Sequence, residues 1–210
     1  QGTPLVIMDR RVSGEVDTVR CDSIGGACAL THHLIELGHR RIVALSGSIS
    51  VSTARDRVKG YEHALRDSGL EVTPSLIRYR TFTQEAGYAM TKEVLAKNPP
   101  PTAIFAVNNF IAIGAYKALK DSGLHVPVDV SLVAFDDLPP ALVMDPFLTV
   151  AAQPAYEMGR RATELLVKRT VASESGDKPP PEAEEIVLPV ELVIRRSTGH
   201  PHADKATTAG

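Results

Sequence analysis

No stretch of this 210-residue chain stays apolar for the roughly 20 residues that a membrane-crossing helix requires, so a span of that kind is excluded. The chain also lacks any excess of positive charge. Its 23 Lys and Arg stand against 25 Asp and Glu, a net charge of −2, which gives no global drive toward nucleic acid. Any DNA-binding activity is therefore expected outside these residues. Cysteine is scarce: Cys21 and Cys28 are too few for a disulfide framework, and a reduced protein with two incidental thiols is expected. The opening residues, QGTPLVIMDR, have no basic segment ahead of a long apolar one, so no signal peptide is read. Gln1 in place of Met suggests a piece of something longer. What is present, 43% apolar and 23% charged residues, suits a globular chain long enough to bury a core.

Short apolar runs alternate with amphipathic stretches, which predicts an α/β fold on a parallel sheet. Strands are expected at residues 5–8, 42–45, 76–79, 103–107, 131–135 and 149–152. One or two more are expected within 185–194, broken by Pro189. Helices are expected from a cap at Asp22 or Ser23 to Leu37, and over 53–68, 84–97, 108–122 and 156–171. The run ASESGDKPPPEAEE at 172–185 has linker composition and reads as a mobile loop, and 197–210 as a disordered tail.

In a doubly wound sheet the loops after successive strands converge on one crevice. Those loops carry Asp9, residues 46–52, Phe82, Asn108 and the adjacent Asp136 and Asp137, while Arg57 lies near the start of the second helix. One cation, several carboxylates, an amide and an aromatic ring make the mix of a polar small-molecule pocket. Each residue has a plainer reading: Arg57 as a surface ion-pair member, Asp136 as a turn residue, Asn108 as a helix cap, Phe82 as core. Convergence favours the pocket. Asp136 and Asp137 have no identifiable nucleophile–base pair beside them, so no catalytic residue is expected. His32, His33, Glu36 and His39 have ligand-like spacing, yet Leu34, Ile35 and Leu37 mark a packing face with the histidines along its sides. No metal site and no cofactor are expected.

Six segments together resemble the LacI/GalR family of bacterial transcriptional regulators: PLVIMDR (4–10), HHLIELGHRRIVALSG (32–47), ARDRVKGYEHAL (54–65), PTAIFAVNN (101–109), DVSLVAFDD (129–137) and LVIRRST (192–198). The resemblance implies an effector-binding core of the periplasmic-binding-protein type I kind: three-layer α/β/α lobes joined by three crossovers, with ligand between them. It places Arg57 and Asp136 on the family's effector-contacting arginine and aspartate, Asn108 on a frequent contact, and Phe82 on the aromatic that stacks on sugar or base. Asp9, Thr53 and Gln153 fall on positions used by some members only. Two departures stand out: Asn108-Asn109 where the family usually has Asn-Asp, and Val51 where purine-responsive members carry a basic residue.

The resemblance further implies that the second lobe is nearly complete (13–150 and 186–196) and the first partial (1–12 and 151–175), with the helix-turn-helix absent. A small polar effector, a sugar or sugar-like molecule, is expected. Operator DNA would be bound only through the absent N-terminal domain, in a cytoplasmic homodimer with no membrane contact. The alternative is a periplasmic sugar-binding protein of an ABC transporter.

Overall fold

The structure is a computed structural model that describes residues 3–138, 145–174 and 182–201. The chain begins with β1 (Val6–Met8), β2 (Asp17–Cys21) and α1 (Ser23–Glu36). Strands and helices then alternate through β3 (Ile42–Ser46), α2 (Ser52–Asp67), β4 (Ile77–Tyr79), α3 (Gln84–Leu95), β5 (Ala103–Ala106), α4 (Asn109–Asp121) and β6 (Ser131–Phe135). After them come β7 (Thr149–Ala152), α5 (Ala155–Glu174), β8 (Glu185–Leu188) and β9 (Glu191–Val193).

Two sheets form. The larger has the order β4-β3-β5-β6-β7-β9, all parallel except β9. Every residue of β3, β5 and β6 is buried, which is why these segments read as unbroken apolar runs rather than alternating ones. The chain steps outward from β3 to β4, then back across to β5. With right-handed crossovers this reversal puts α2 on one face, beside α1, and α3 with α4 on the other. The contact between α1 and α2 is close enough that a Cβ on Gly60 would sit 2.2 Å from the Ile24 carbonyl oxygen; only glycine lets the two backbones meet there.

The smaller sheet is β1-β2-β8, all parallel, with α5 packed on β1 and β2. The expected α/β class is the one observed, but the division between sheets differs from the expected boundaries. Residues 17–21, expected with the second lobe, form a strand of the smaller sheet. Residues 185–188 pair with that strand rather than with the larger sheet. DTVRC looks like a loop because it carries Asp and Arg. It is a strand because buried Asp17 is neutralised by Arg169 of α5 and also accepts the Glu184 amide, and Arg20 pairs with Glu185. Pro189 marks the point where the chain leaves one sheet for the other. The chain thus passes between sheets three times: after β2, after β7 and after β8.

The expected disordered tail is also corrected in its first five residues. Ser197 is fully buried; its hydroxyl donates to the Leu132 carbonyl (2.6 Å) and accepts from the Thr149 amide (2.8 Å). The Gly199 amide donates to Ser131 Oγ (3.0 Å). Residues 202–210 and the 175–181 part of the expected mobile loop lie outside the described residues. No described helix is long and apolar enough to cross a membrane.

Candidate functional site

The point where the strand order of the larger sheet reverses lies between β3 and β5, and their carboxyl ends open beside the start of α2. Arg57 sits there, one turn along α2 from Thr53. Both are buried, Arg57 only 2% exposed. A guanidinium is tolerated at this depth because its charge is matched on several sides. Nη1 donates to the Val107 carbonyl at 2.7 Å and to Asp136 Oδ2 at 3.0 Å; Nη2 donates to Asp136 Oδ1 at 3.3 Å. The carboxylate is thus gripped by a planar fork, the geometry that suits arginine. Beneath it lies the Phe135 ring, its centroid 3.8 Å from the guanidinium carbon.

Asp136 follows β6 directly, and Asp9 follows β1 of the other sheet. Both have backbone angles in the left-handed region, with φ of 68° and 69°. That region is uncommon for any residue with a Cβ, though Asp enters it more readily than most. Strain of this kind persists where the surroundings over-determine it, and it concentrates at binding sites. The two turns bring the carboxylates to the same guanidinium: Asp9 Oδ1 is 3.9 Å from Arg57 Nη2. Gln153, just after β7, donates its side-chain amide to Asp136 Oδ1. Burial pushes the Asp9 carboxyl above its ordinary pKa; Arg57 opposes that shift and Asp136 reinforces it.

Four of the seven expected site residues, Arg57, Asp136, Asp9 and Gln153, therefore form one bonded cluster joining both sheets, and Thr53 lies buried one turn away. Asn108 and Phe82 stand outside the cluster. Asn108 Oδ1 accepts the Ile111 amide at 3.0 Å, capping α4, and no protein group bonds its amide nitrogen among the described residues. Phe82 is half-buried against the loop after β3, so close that a Cβ on Gly47 would fall 2.2 Å from its ring. The absence of a side chain at 47 is what lets the ring lie there.

Asp137 does different work from its neighbour. It pairs with Arg195, at 2.9 Å and 2.6 Å, and accepts the Leu138 amide at 2.8 Å, while Asn109 donates to its backbone carbonyl at 3.0 Å. The Arg195 guanidinium holds its carboxyl below the ordinary range.

Sequence reasoning missed three parts of the arrangement. The Val107 carbonyl has no side-chain signal. Phe135 reads as core, which it also is. Arg11 was not singled out, yet its amide donates to Ser52 Oγ at 2.9 Å and its guanidinium pairs with Asp56, adding a second tie between the first loop and α2. A basic residue two positions after the β1 aspartate was the only available hint.

Among the described residues, two buried polar atoms of the cluster, Asp9 Oδ1 and Arg57 Nε, have no hydrogen-bond partner, nor does the buried hydroxyl of Ser46 at the end of β3. A separate groove of about 310 Å³ lies on the outside of α3 and α4, lined by Gln84, Tyr88, Ile113 and Lys117 among others, and contains none of the cluster.

The family model of the periplasmic binding protein-like domain matches residues 31–198. Among curated proteins, the HTH-type transcriptional repressor PurR of Haemophilus influenzae is 34% identical over 194 residues, covering 92% of this chain and 57% of the repressor. The chain thus spans a little over half the length of the curated relatives it matches. Among solved structures, the complex of the transcriptional regulator CelR with cellobiose superposes with a TM-score of 0.82 at 34% identity, covering 91% of this chain and 58% of that one. A LacI family regulator from Enterococcus faecium with bound ribose gives a TM-score of 0.80 at 29% identity, covering 93% and 70%. The chain belongs to the LacI/GalR family, whose periplasmic binding protein-like domain it carries.

Proposed function

We propose that this chain is the effector-sensing part of a LacI/GalR-type transcriptional regulator, and that its effector is a neutral, polyhydroxylated molecule such as a sugar. The observation that carries this reading is the polarity of the cluster. Arg57, with its side chain 3% exposed, spends its charge on Asp136 and on the Val107 carbonyl. The carboxylates are the more accessible groups, Asp136 at 22% and Asp9 at 37%. A ligand therefore meets acceptors first. Hydroxyl groups donate to carboxylates, whereas an anion is repelled. Phe82, half-buried against Gly47 in the loop after β3, supplies an apolar face outside the cluster. The cellobiose and ribose held by the two structural neighbours belong to the same chemical class.

Thr53, Asn108 and Gln153 are assigned supporting contacts, and no residue is assigned a catalytic step. In the whole protein, effector binding between the two sheets favours one arrangement of the lobes and so alters operator binding by the helix-turn-helix. The coupling is of the order of 1–3 kcal/mol. A homodimer working in the cytoplasm is part of the same proposal.

Calorimetric titration with a panel of sugars and nucleosides tests it. A neutral sugar is expected to bind, and Asp136→Ala to weaken that binding by about 1.5–3 kcal/mol, roughly tenfold to a hundredfold. Undiminished affinity in both Asp136→Ala and Arg57→Ala would falsify the site.

A further inference from the structure

We infer that the outer layer of the larger sheet carries a soft divalent-metal site, formed by Cys28 and His32 of α1 with Asp67 at the end of α2. The thiol, the imidazole and one carboxylate oxygen all lie within 4.8 Å of one another, and His32 Nε2 is 4.0 Å from Asp67 Oδ2. In a tetrahedral zinc site with bonds of 2.0–2.3 Å, neighbouring ligand atoms stand about 3.3–3.8 Å apart. The three groups are thus at most about 1.5 Å further apart than ligating positions require, a distance that rotation about side-chain bonds covers. None of this depends on the effector site, which lies at the strand ends.

Four features distinguish the cluster from a chance meeting of polar residues. Cys28 and His32 are four apart on one helix, so they project from the same face a turn apart. The helix that brings Asp67 is locked to α1 by the backbone contact at Gly60, where an added Cβ would meet the Ile24 carbonyl, the Ala27 side chain and the Cys28 amide. The ligands therefore stand on rigid elements with a fixed spacing. Asp67 is the last residue of α2, where the terminal carbonyls present partial negative charge to a cation. Finally, His32 Nδ1 faces the Ser68 hydroxyl at 3.5 Å, leaving Nε2 for the metal; such a hydrogen bond from the second ring nitrogen is the usual support of a ligating histidine.

The donor set selects the ion. A thiolate and an imidazole favour Zn²⁺, Co²⁺ or Ni²⁺ over the oxygen-seeking Mg²⁺ and Ca²⁺. Three protein ligands leave a fourth position for water, and that position is open to solvent because the His32 and Asp67 side chains are 36% and 66% exposed. Sequence spacing directed attention to His32, His33, Glu36 and His39. The fold disperses that set: His33 bonds Thr198, and His39 is buried against Thr102, Ser131 and Gly199. It recruits instead a cysteine one turn earlier and an aspartate from another helix.

The test is titration of the intact chain with Co²⁺ and Zn²⁺. The chain has no tryptophan, so a thiolate-to-cobalt charge-transfer band in the near ultraviolet is seen against little protein absorbance. One Co²⁺ per chain with that band is expected, displaced by Zn²⁺. Cys28→Ser should abolish the band, and His32→Gln and Asp67→Asn should each weaken Zn²⁺ binding by about tenfold or more. The exposed His125→Gln should leave binding unchanged. In the wild type, without any substitution, Zn²⁺ should protect Cys28 from alkylation. Cobalt bound without a thiolate band, an unprotected Cys28, or Zn²⁺ affinity unaltered in Cys28→Ser and His32→Gln would each overturn the inference.

Discussion

Replacing Arg57 by methionine probes the cluster where the electrostatics are most concentrated. Methionine keeps much of the stem's volume but removes the donors to Val107 and Asp136 and the cation above Phe135. It leaves two carboxylates, Asp9 and Asp136, near one another without the guanidinium that lies between them. Breaking a buried ion pair by deleting one member costs about 3–5 kcal/mol. Asp136 is partly exposed and water relieves some of that cost, so about 2–4 kcal/mol is expected here. For a domain of this size the melting temperature should fall by roughly 5–15 °C. Far-UV circular dichroism during urea and thermal unfolding measures it without tryptophan. The decisive comparison is the double variant Arg57→Met with Asp136→Asn. Neutralising the stranded carboxylate should make the double variant more stable than Arg57→Met alone, by about 1 kcal/mol or more. If the single variant loses under about 1 kcal/mol, or if the double variant is simply additive, Arg57 is not what holds the two turns together.

Two further outcomes follow from other parts of the fold. Arg169 beside Asp17 and Arg195 beside Asp137 hold both carboxyls below the ordinary value of 3.8, so the stability they contribute is complete above that pH and is lost as the pH falls through their folded values. A urea-midpoint series into acid should show that loss, flattened in Asp17→Asn; an unflattened profile would exclude Asp17 as its source. Ser197→Ala removes a buried hydroxyl that bonds the Thr149 amide and the Leu132 carbonyl, and should cost about 1–3 kcal/mol in urea unfolding; a neutral result would mean that the segment after β9 does not secure the sheet.

The large sheet was legible because its strands are buried on both faces, so composition alone marks 42–45, 103–107 and 131–135. The small sheet was not. β2 carries two charged residues, Asp17 and Arg20, and their ion-pair partners come from α5 and β8, more than 150 residues away in sequence. No local pattern carries that information. The segment after β9 failed for the same reason: Ser197, Thr198 and Gly199 look like a tail until β6 and β7 supply partners. At the site, Asp9, Arg57 and Asp136 were legible as strand-end and helix-start residues, and Gln153 only through the family resemblance. Their mutual bonding was not visible, because it depends on two left-handed aspartate turns converging from different sheets. Cys28 was legible only as an incidental cysteine and Asp67 carried no signal, since what brings them together is the α1–α2 approach that Gly60 allows.

That the cluster spans both sheets sets limits on how strongly it resists motion. Asp9 to Arg57, Arg11 to Asp56, and the Arg11 amide to Ser52 tie the loop after β1 to the first turns of α2. The two ion pairs are loose in different ways, one because it is 3.9 Å long and the other because Arg11 is 45% exposed. Pairs of this kind are worth about 0–1 kcal/mol each. A hydrogen bond adds about 1 kcal/mol, so the ties together amount to roughly 1–3 kcal/mol. That equals the differential binding energy by which a ligand ordinarily shifts a conformational equilibrium. Ties much stronger would hold the sheets in one arrangement whatever bound between them; ties much weaker would let them separate without a ligand. In the proposed change Arg57 would keep to the Asp136 side, since Val107 and Phe135 belong to the same sheet as Asp136. Asp9, which reaches Arg57 from the other sheet, is then the member that would part from it, and its burial already disfavours its charge.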